Sequence, residues 1–192
     1  MKRKLLLMLA GVMTALCVTG CVKIIDKGTE GQYTGETEFD AASNSGGDWE
    51  KVVAEITENA VDLSGQAEEG IDKVCAVSAS GKVKEYESKA NGKKNALILE
   101  VEGCDDTVKV QIGSIYSGTD VRDIQTIKNF ESFTNQTEWS QYAKALNAQV
   151  DSQVVAPLSI DDSVVGKTVT LVGAASASGG EITITPVSMT IE

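Results

Sequence analysis

Histidine is absent from the whole chain. Its absence removes Ser-His-Asp and Cys-His catalysis, His-ligated zinc and the commonest general base near neutral pH. No serine is followed three positions later by lysine, which excludes a Ser-x-x-Lys acyl-enzyme. An Asp-x-Asp-x-Asp-Gly calcium loop is missing as well. The stretch VVGKTVT resembles the tail of a phosphate loop, but Asp161 stands where the first glycine belongs and the segment leads into a strand. Positive charge is also scarce: 17 Lys and Arg face 28 Asp and Glu. An acidic surface repels phosphate backbones and anionic headgroups, so no nucleic-acid partner is expected.

The chain is also short of long apolar runs. The longest, Leu5 to Val18, follows the basic opening Lys2-Arg3-Lys4. As a helix it would reach only about 21 Å, against the roughly 30 Å of a hydrocarbon core, so it reads as an export signal and not as a membrane span. Val18-Thr19-Gly20-Cys21 then has the pattern of a bacterial lipobox: an aliphatic residue, two small ones, and the cysteine that is acylated before cleavage in front of it. Residues 1–20 are therefore expected to be a lipoprotein signal peptide, with Cys21 the lipidated residue. Cleavage there removes three basic residues and no acidic one, taking the net charge from −11 to 14 − 28 = −14. Acyl chains on Cys21 are expected to hold the protein on the outer face of the cytoplasmic membrane.

Residues 21–38 read as a flexible tether. The wider stretch Asp26 to Gly47 is rich in Gly, Ser, Thr and acids, with Phe39 the first plausible contact to the body. From Asp48, taken as an N-cap, Trp49, Val52, Val53, Ile56, Ala60 and Leu63 trace one helical face closed by Gly65 and Gly70. Trp139, Tyr142, Ala143, Leu146 and Val150 mark a second helix with a core-facing stripe. Elsewhere the period is two: a long strand interrupted near Gly81, a hairpin around Gly103 to Asp106, and another around Ser178 to Gly180. Three strands, a helical segment and two strands give an α+β fold: a five-stranded Greek-key, OB-like barrel with a small helical annex. The barrel is assigned to 71–117 and 158–192, the annex to 39–70 and 118–157. A mixed sheet of another topology has the same order of elements.

Blocks such as VQIGSIYSGTDVRD, FESFTNQTEWSQYAKALN and GKTVTLVGAASASGGEITITPVSMTIE resemble the predicted periplasmic lipoproteins known as domain of unknown function 2291. The resemblance spans nearly the whole mature chain and departs from the family pattern between Ser64 and Asp72. It implies a barrel with a helical annex and genes beside sugar-type importers. It carries no activity.

The chemistry-bearing residues gather between the third strand and the second helix. Tyr116, Thr119, Arg122, Asp123, Asn135, Gln136 and Glu138 supply the planar donor, amides and acids that read sugar hydroxyls or a partner's polar edge. The same residues also serve structure: Thr119 and Asn135 as caps, Glu138 completing a capping box, and Arg122 paired with Glu131 or Glu138. Acid pairs at Glu68/Glu69, Asp105/Asp106 and Asp161/Asp162 lie beside turn residues and read as solvated. The expectation is a lipid-anchored accessory or binding lipoprotein beside a sugar-type ABC importer, taking a saccharide, with no cofactor, no metal and no catalysis. The alternative is a carboxylate-dependent hydrolase acting on envelope glycan. Cys75 and Cys104 are expected to be free thiols, Cys75 buried and Cys104 partly exposed. With Ser88 opposite Ala96 they fall about 16 Å apart, beyond the roughly 7 Å a disulfide allows.

Overall fold

A computed structural model describes residues 39–65, 71, 73–88 and 95–192. The expected signal peptide and tether, Cys21 and the Glu68/Glu69 pair lie outside the described residues. Strand alternation is clearest where two neighbours meet: β3 (Ala96–Val101) and β4 (Thr107–Gln111) point Leu97, Leu99, Val108 and Val110 to one side, all buried. β3 also pairs with β2 (Cys75–Glu87), and the hairpin of β5 (Thr168–Ser178) and β6 (Glu181–Ile191) supplies the remaining staves. β6 runs parallel to β4, and β5 runs antiparallel to β2, so the five strands close in the order β2-β3-β4-β6-β5. This is the expected OB-like barrel. A sixth element, the two-residue β1 (Val61–Asp62), joins parallel to β2 at Val61↔Val77. It was not foreseen, since two residues carry no period.

Closure bends the strands, and two glycines permit it. Gly81 pairs with Val101 of β3 and Val169 of β5, where β2 passes from one neighbour to the other. A Cβ at this position would stand 2.6 Å from the Glu100 carbonyl oxygen. The expected interruption at Gly81 is thus no break: β2 runs through it and shifts register only between Val83 and Glu85. Gly173 has the same role beside the register shift of β5, with Thr185 O at 2.5 Å from a built Cβ. In both places the reason is close backbone approach.

The helices pack together at the barrel's flank. Helix α1 (Ala41–Glu58) begins eight residues earlier than expected. Asp40 is its cap, accepting from the Ser43 N–H at 2.9 Å. Gly46 and Gly47 each cost a helix about 1 kcal/mol relative to alanine. The cap and the buried Ser45, whose hydroxyl receives Gln149 Nε2 at 3.5 Å, offset that cost. Asp48, expected as the cap, is inside the helix, where it accepts the Tyr142 hydroxyl at 3.0 Å and pairs with Lys128 at 2.8 Å. The helix ends at Asn59 instead of at the glycines 65 and 70, leaving Leu63 buried in a separate 3-10 turn. The short α2 (Asp120–Ile124) and α3 (Gln136–Gln149) follow β4, and α3 runs on into a π-helical turn, Val150–Val155.

Candidate functional site

The path from β4 into the annex is set by Gln111, which is buried. Its side chain donates to Thr185 Oγ1 at 2.8 Å and to Ser117 O at 3.1 Å, and accepts the Ser117 N–H at 2.6 Å. The bond to Thr185 anchors the amide on β6, and the two to Ser117 fold the loop after β4 back on the barrel, with Tyr116 toward Asp151 just beyond the C-terminal end of α3. The Tyr116 hydroxyl is buried with no hydrogen-bond partner among the described residues. Burial pushes its phenol up, and the carboxylate of Asp151 pushes it further. Nearby, Asn147 Nδ2 donates to Gly118 O at 3.3 Å, fastening the loop to the same end of α3.

Thr119 occupies the N-cap position of α2 but does not cap with its side chain. Its hydroxyl donates to Asp123 Oδ2 at 2.6 Å and accepts from Arg122 Nη2 at 3.1 Å. Arg122 pairs with Asp123, its Nε donating to Oδ1 at 2.8 Å. The expected pairing with Glu131 or Glu138 is not formed. The guanidinium instead lies 4.4 Å above the Trp139 ring, which draws it across to its neighbour in sequence. Asp120, half-buried, accepts Ser176 Oγ at 2.8 Å and so fixes α2 to β5. Its carboxyl is pushed up by burial, with the charge of Asp123 adding to the effect and the Ser176 bond opposing it.

At the other end of α3, Asn135 caps the helix as expected, Oδ1 accepting the Glu138 N–H at 3.0 Å. Glu138 does not complete a capping box with Asn135: it accepts the Thr134 N–H at 2.8 Å. Gln136 is exposed. Trp139 departs from the core stripe and is half-buried, whereas Tyr142, Ala143, Leu146 and Val150 are buried. Phe133 packs against both Trp139 and Tyr142, each at 5.1 Å between centroids, and Phe130 stands edge-on to Trp139 at 6.3 Å. Lys128 Nζ reaches Asp48 and Asn44 Oδ1, at 2.8 and 2.6 Å, and lies 5.4 Å from the Tyr142 ring.

The candidate residues therefore fall into two places. Thr119, Arg122 and Asp123 gather over Trp139, one turn along α3 from Asn135 and Gln136. Tyr116 is at the far end of a helix of 14 residues, which spans about 21 Å at about 1.5 Å per residue. Phe130 and Phe133 were missed from the sequence. Their spacing of three, in FESF just ahead of Trp139, was the available signal.

Residues 64–190 match the family model described as Predicted periplasmic lipoprotein (DUF2291). The chain belongs to this family. An extracytoplasmic location agrees with that description. No curated protein matches the chain significantly. Among solved structures, the DUF2291 chain is similar to an OB-fold protein from Thermotoga maritima, with a TM-score of 0.60 and 15% identity, over 81% of this chain and 100% of that one. At that identity the likeness shows the fold alone.

Other motifs in this DUF2291 protein have structural explanations. Asp161 caps a 3-10 turn by accepting the Ser163 N–H at 2.9 Å, and the Ser163 hydroxyl first, with this N–H beside it, holds its carboxyl below the usual carboxylate range. Gly166-Lys167 turns directly into β5. Among the described residues no cluster of acids and cysteines is arranged to hold a metal ion. Cys75 and Cys104 are free thiols, both half-buried, and burial pushes the Cys75 thiol up. Cys75 is thus less buried than expected. The register behind the expected separation of the two thiols shifts by one at Ala96, where Glu87 and not Ser88 lies opposite, and by two beyond the Val83/Glu85 irregularity, where Gly81 faces Val101.

Proposed function

We propose that the protein is a lipid-anchored extracytoplasmic binding or accessory lipoprotein, held through Cys21 on the outer face of the cytoplasmic membrane and working beside a sugar-type ABC importer. The observation that carries this reading is where the polar and aromatic groups collect. The barrel interior is filled by Val77, Val83, Leu97, Leu99, Val108, Val110, Leu171 and Ile184, all at most 3% exposed. The groups suited to recognition stand outside it, on the annex, as the Arg122–Asp123 pair over Trp139 and the amides at the start of α3. A filled barrel with an adorned flank suits a module that docks a ligand or subunit and leaves chemistry to others.

The hydrolase alternative draws its best support from Asp120, whose carboxyl is raised near Asp123. Both acids are committed elsewhere, Asp120 to Ser176 and Asp123 to Arg122 and Thr119. The deciding experiment is affinity purification of the full-length lipidated protein from detergent-solubilised membranes. Permease or ATPase subunits of an importer should come with it. Cys21→Ser should move the protein out of the membrane fraction after a high-salt wash and lose those subunits. A wild type that elutes alone, or a Cys21→Ser protein that still sediments, would refute the corresponding half of the reading.

A further inference from the structure

We propose that the exposed ring of Phe130, held edge-on against Trp139, is a stacking platform for a neutral saccharide, with Arg122 and the amides of Asn135 and Gln136 reading its hydroxyls; this deepens the binding-module reading and rests on it. Phe130 opens the 3-10 turn Phe130–Ser132, which a reciprocal capping box between Asn129 and Ser132 holds in shape. Its ring meets Trp139 at an interplanar angle of 85° and is still 48% exposed. Trp139 is fixed in turn by Phe133 and by the guanidinium of Arg122. An apolar ring held rigidly at the surface loses little side-chain entropy when a ligand covers it.

The polar groups around the platform have unused capacity. The Arg122 side chain is only 12% exposed, and its Nε and Nη2 are taken by Asp123 and Thr119. Its Nη1 has no acceptor among the described residues. Asn135 uses Oδ1 as the helix cap, which leaves its amide N–H groups to donate. Gln136 precedes Trp139 by three residues, so the two share one face of α3, and Asn135 is the cap immediately before them.

Size and charge select the ligand. Aromatic side chains present about 150–250 Å², so Phe130 at 48% exposure offers on the order of 100 Å². A stable protein interface takes about 800 Å² from each partner, far more than this platform, which matches one face of a sugar ring. Glu131 is exposed beside Phe130, and Asp123 already neutralises Arg122. The platform therefore carries net negative charge and disfavours phosphate or uronate groups. A pyranose meets the Phe130 ring with its C–H face and the donors with its rim hydroxyls.

The test uses the purified protein in a Trp49→Phe background, which leaves Trp139 as the sole tryptophan. Its emission is followed while α- and β-linked neutral gluco-oligosaccharides, glucuronate and glucose 6-phosphate are added separately. A saturable change with a neutral oligosaccharide is expected. Phe130→Ala should weaken it about tenfold at unchanged melting temperature, the loss of one stacking ring. Gln136→Ala, an exposed position, is a second variant that should weaken binding without touching the aromatic cluster. No change with any neutral sugar, tighter binding of the anionic ones, or full affinity in Phe130→Ala would each overturn the proposal. Importer co-purification is read separately: a protein that brings importer subunits but ignores sugars keeps the accessory reading and sinks this one.

Discussion

Replacing Gly81 by alanine adds one methyl group at the point where the barrel has least room for it. The new Cβ would lie 2.6 Å from Glu100 O and 2.9 Å from Val101 Cγ2, and the first of these is backbone. Neither side can yield easily, since Gly81 is paired to β3 on one edge and to β5 on the other. Overpacking of this kind costs about 1–3 kcal/mol, and a backbone contact in a closed barrel belongs in the upper half of that range. For a domain of roughly 150 residues, each kcal/mol moves the melting temperature by about 2–4 °C, so a fall of about 4–12 °C is expected. Calorimetry and urea denaturation should agree on the loss, with the urea m-value unchanged because the unfolded state is the same. The matched control is Gly47→Ala, within α1 and with nothing inside 4 Å of the built Cβ. There the methyl group relieves a helix of its glycine and should stabilise by about 0.5–1 kcal/mol. Equal melting temperatures for Gly81→Ala and wild type would mean that β2 and β3 do not approach as described, and the barrel closure would have to be redrawn.

Asp120→Asn should raise stability near neutral pH. Burial lifts the folded-state pKa of Asp120 above its unfolded value. The wild type is therefore favoured while the group is protonated and loses that stability as pH rises through the folded pKa, so the advantage of asparagine should shrink on the acid side of the carboxylate range. Urea midpoints of both proteins across that range check it, and an advantage independent of pH would refute it. Tyr116→Phe removes a buried hydroxyl with no partner among the described residues and should leave stability unchanged or raise it by up to about 1 kcal/mol; a loss above that would show that the hydroxyl is bonded. Trp139→Ala should cost less than the roughly 3–5 kcal/mol of a buried aromatic, since the ring is half-buried, and a larger loss by denaturant titration would return it to the core. Alkylation of the denatured, unreduced protein should label both Cys75 and Cys104, read by mass spectrometry; two unlabelled residues would mean that they are joined.

The barrel was readable because its strands obey a period of two and its turns carry Gly103 and Gly179-Gly180, each at positive φ. The start of α1 was hidden because Ser45-Gly46-Gly47 has the composition of a linker, and only the tertiary contact with Gln149 shows why it is helical. The cap at Asn135 was legible because capping is local. The partner of Arg122 was not: neighbouring residues on a helix do not ordinarily face each other, and only the Trp139 ring brings its guanidinium to Asp123. Likewise Trp139 fits the apolar stripe of α3 by spacing, but it lies in the first turn and is half-buried, against Tyr142, Ala143 and Leu146 buried further along.

The order in which the staves are joined has a consequence in time. β2, β3 and β4 form a meander whose two outer edges both wait for the β5–β6 hairpin, β5 closing on β2 and β6 on β4. Contacts such as Ser80 with Thr170 span 90 residues, and long loops of this kind close late. Until residues 168–191 arrive, the chain carries a three-stranded sheet with both flanks unpaired, the arrangement most prone to join a neighbouring copy. A single hairpin thus acts as the latch for the whole barrel, and cutting the chain ahead of Thr168 leaves an aggregation-prone sheet and not a smaller barrel.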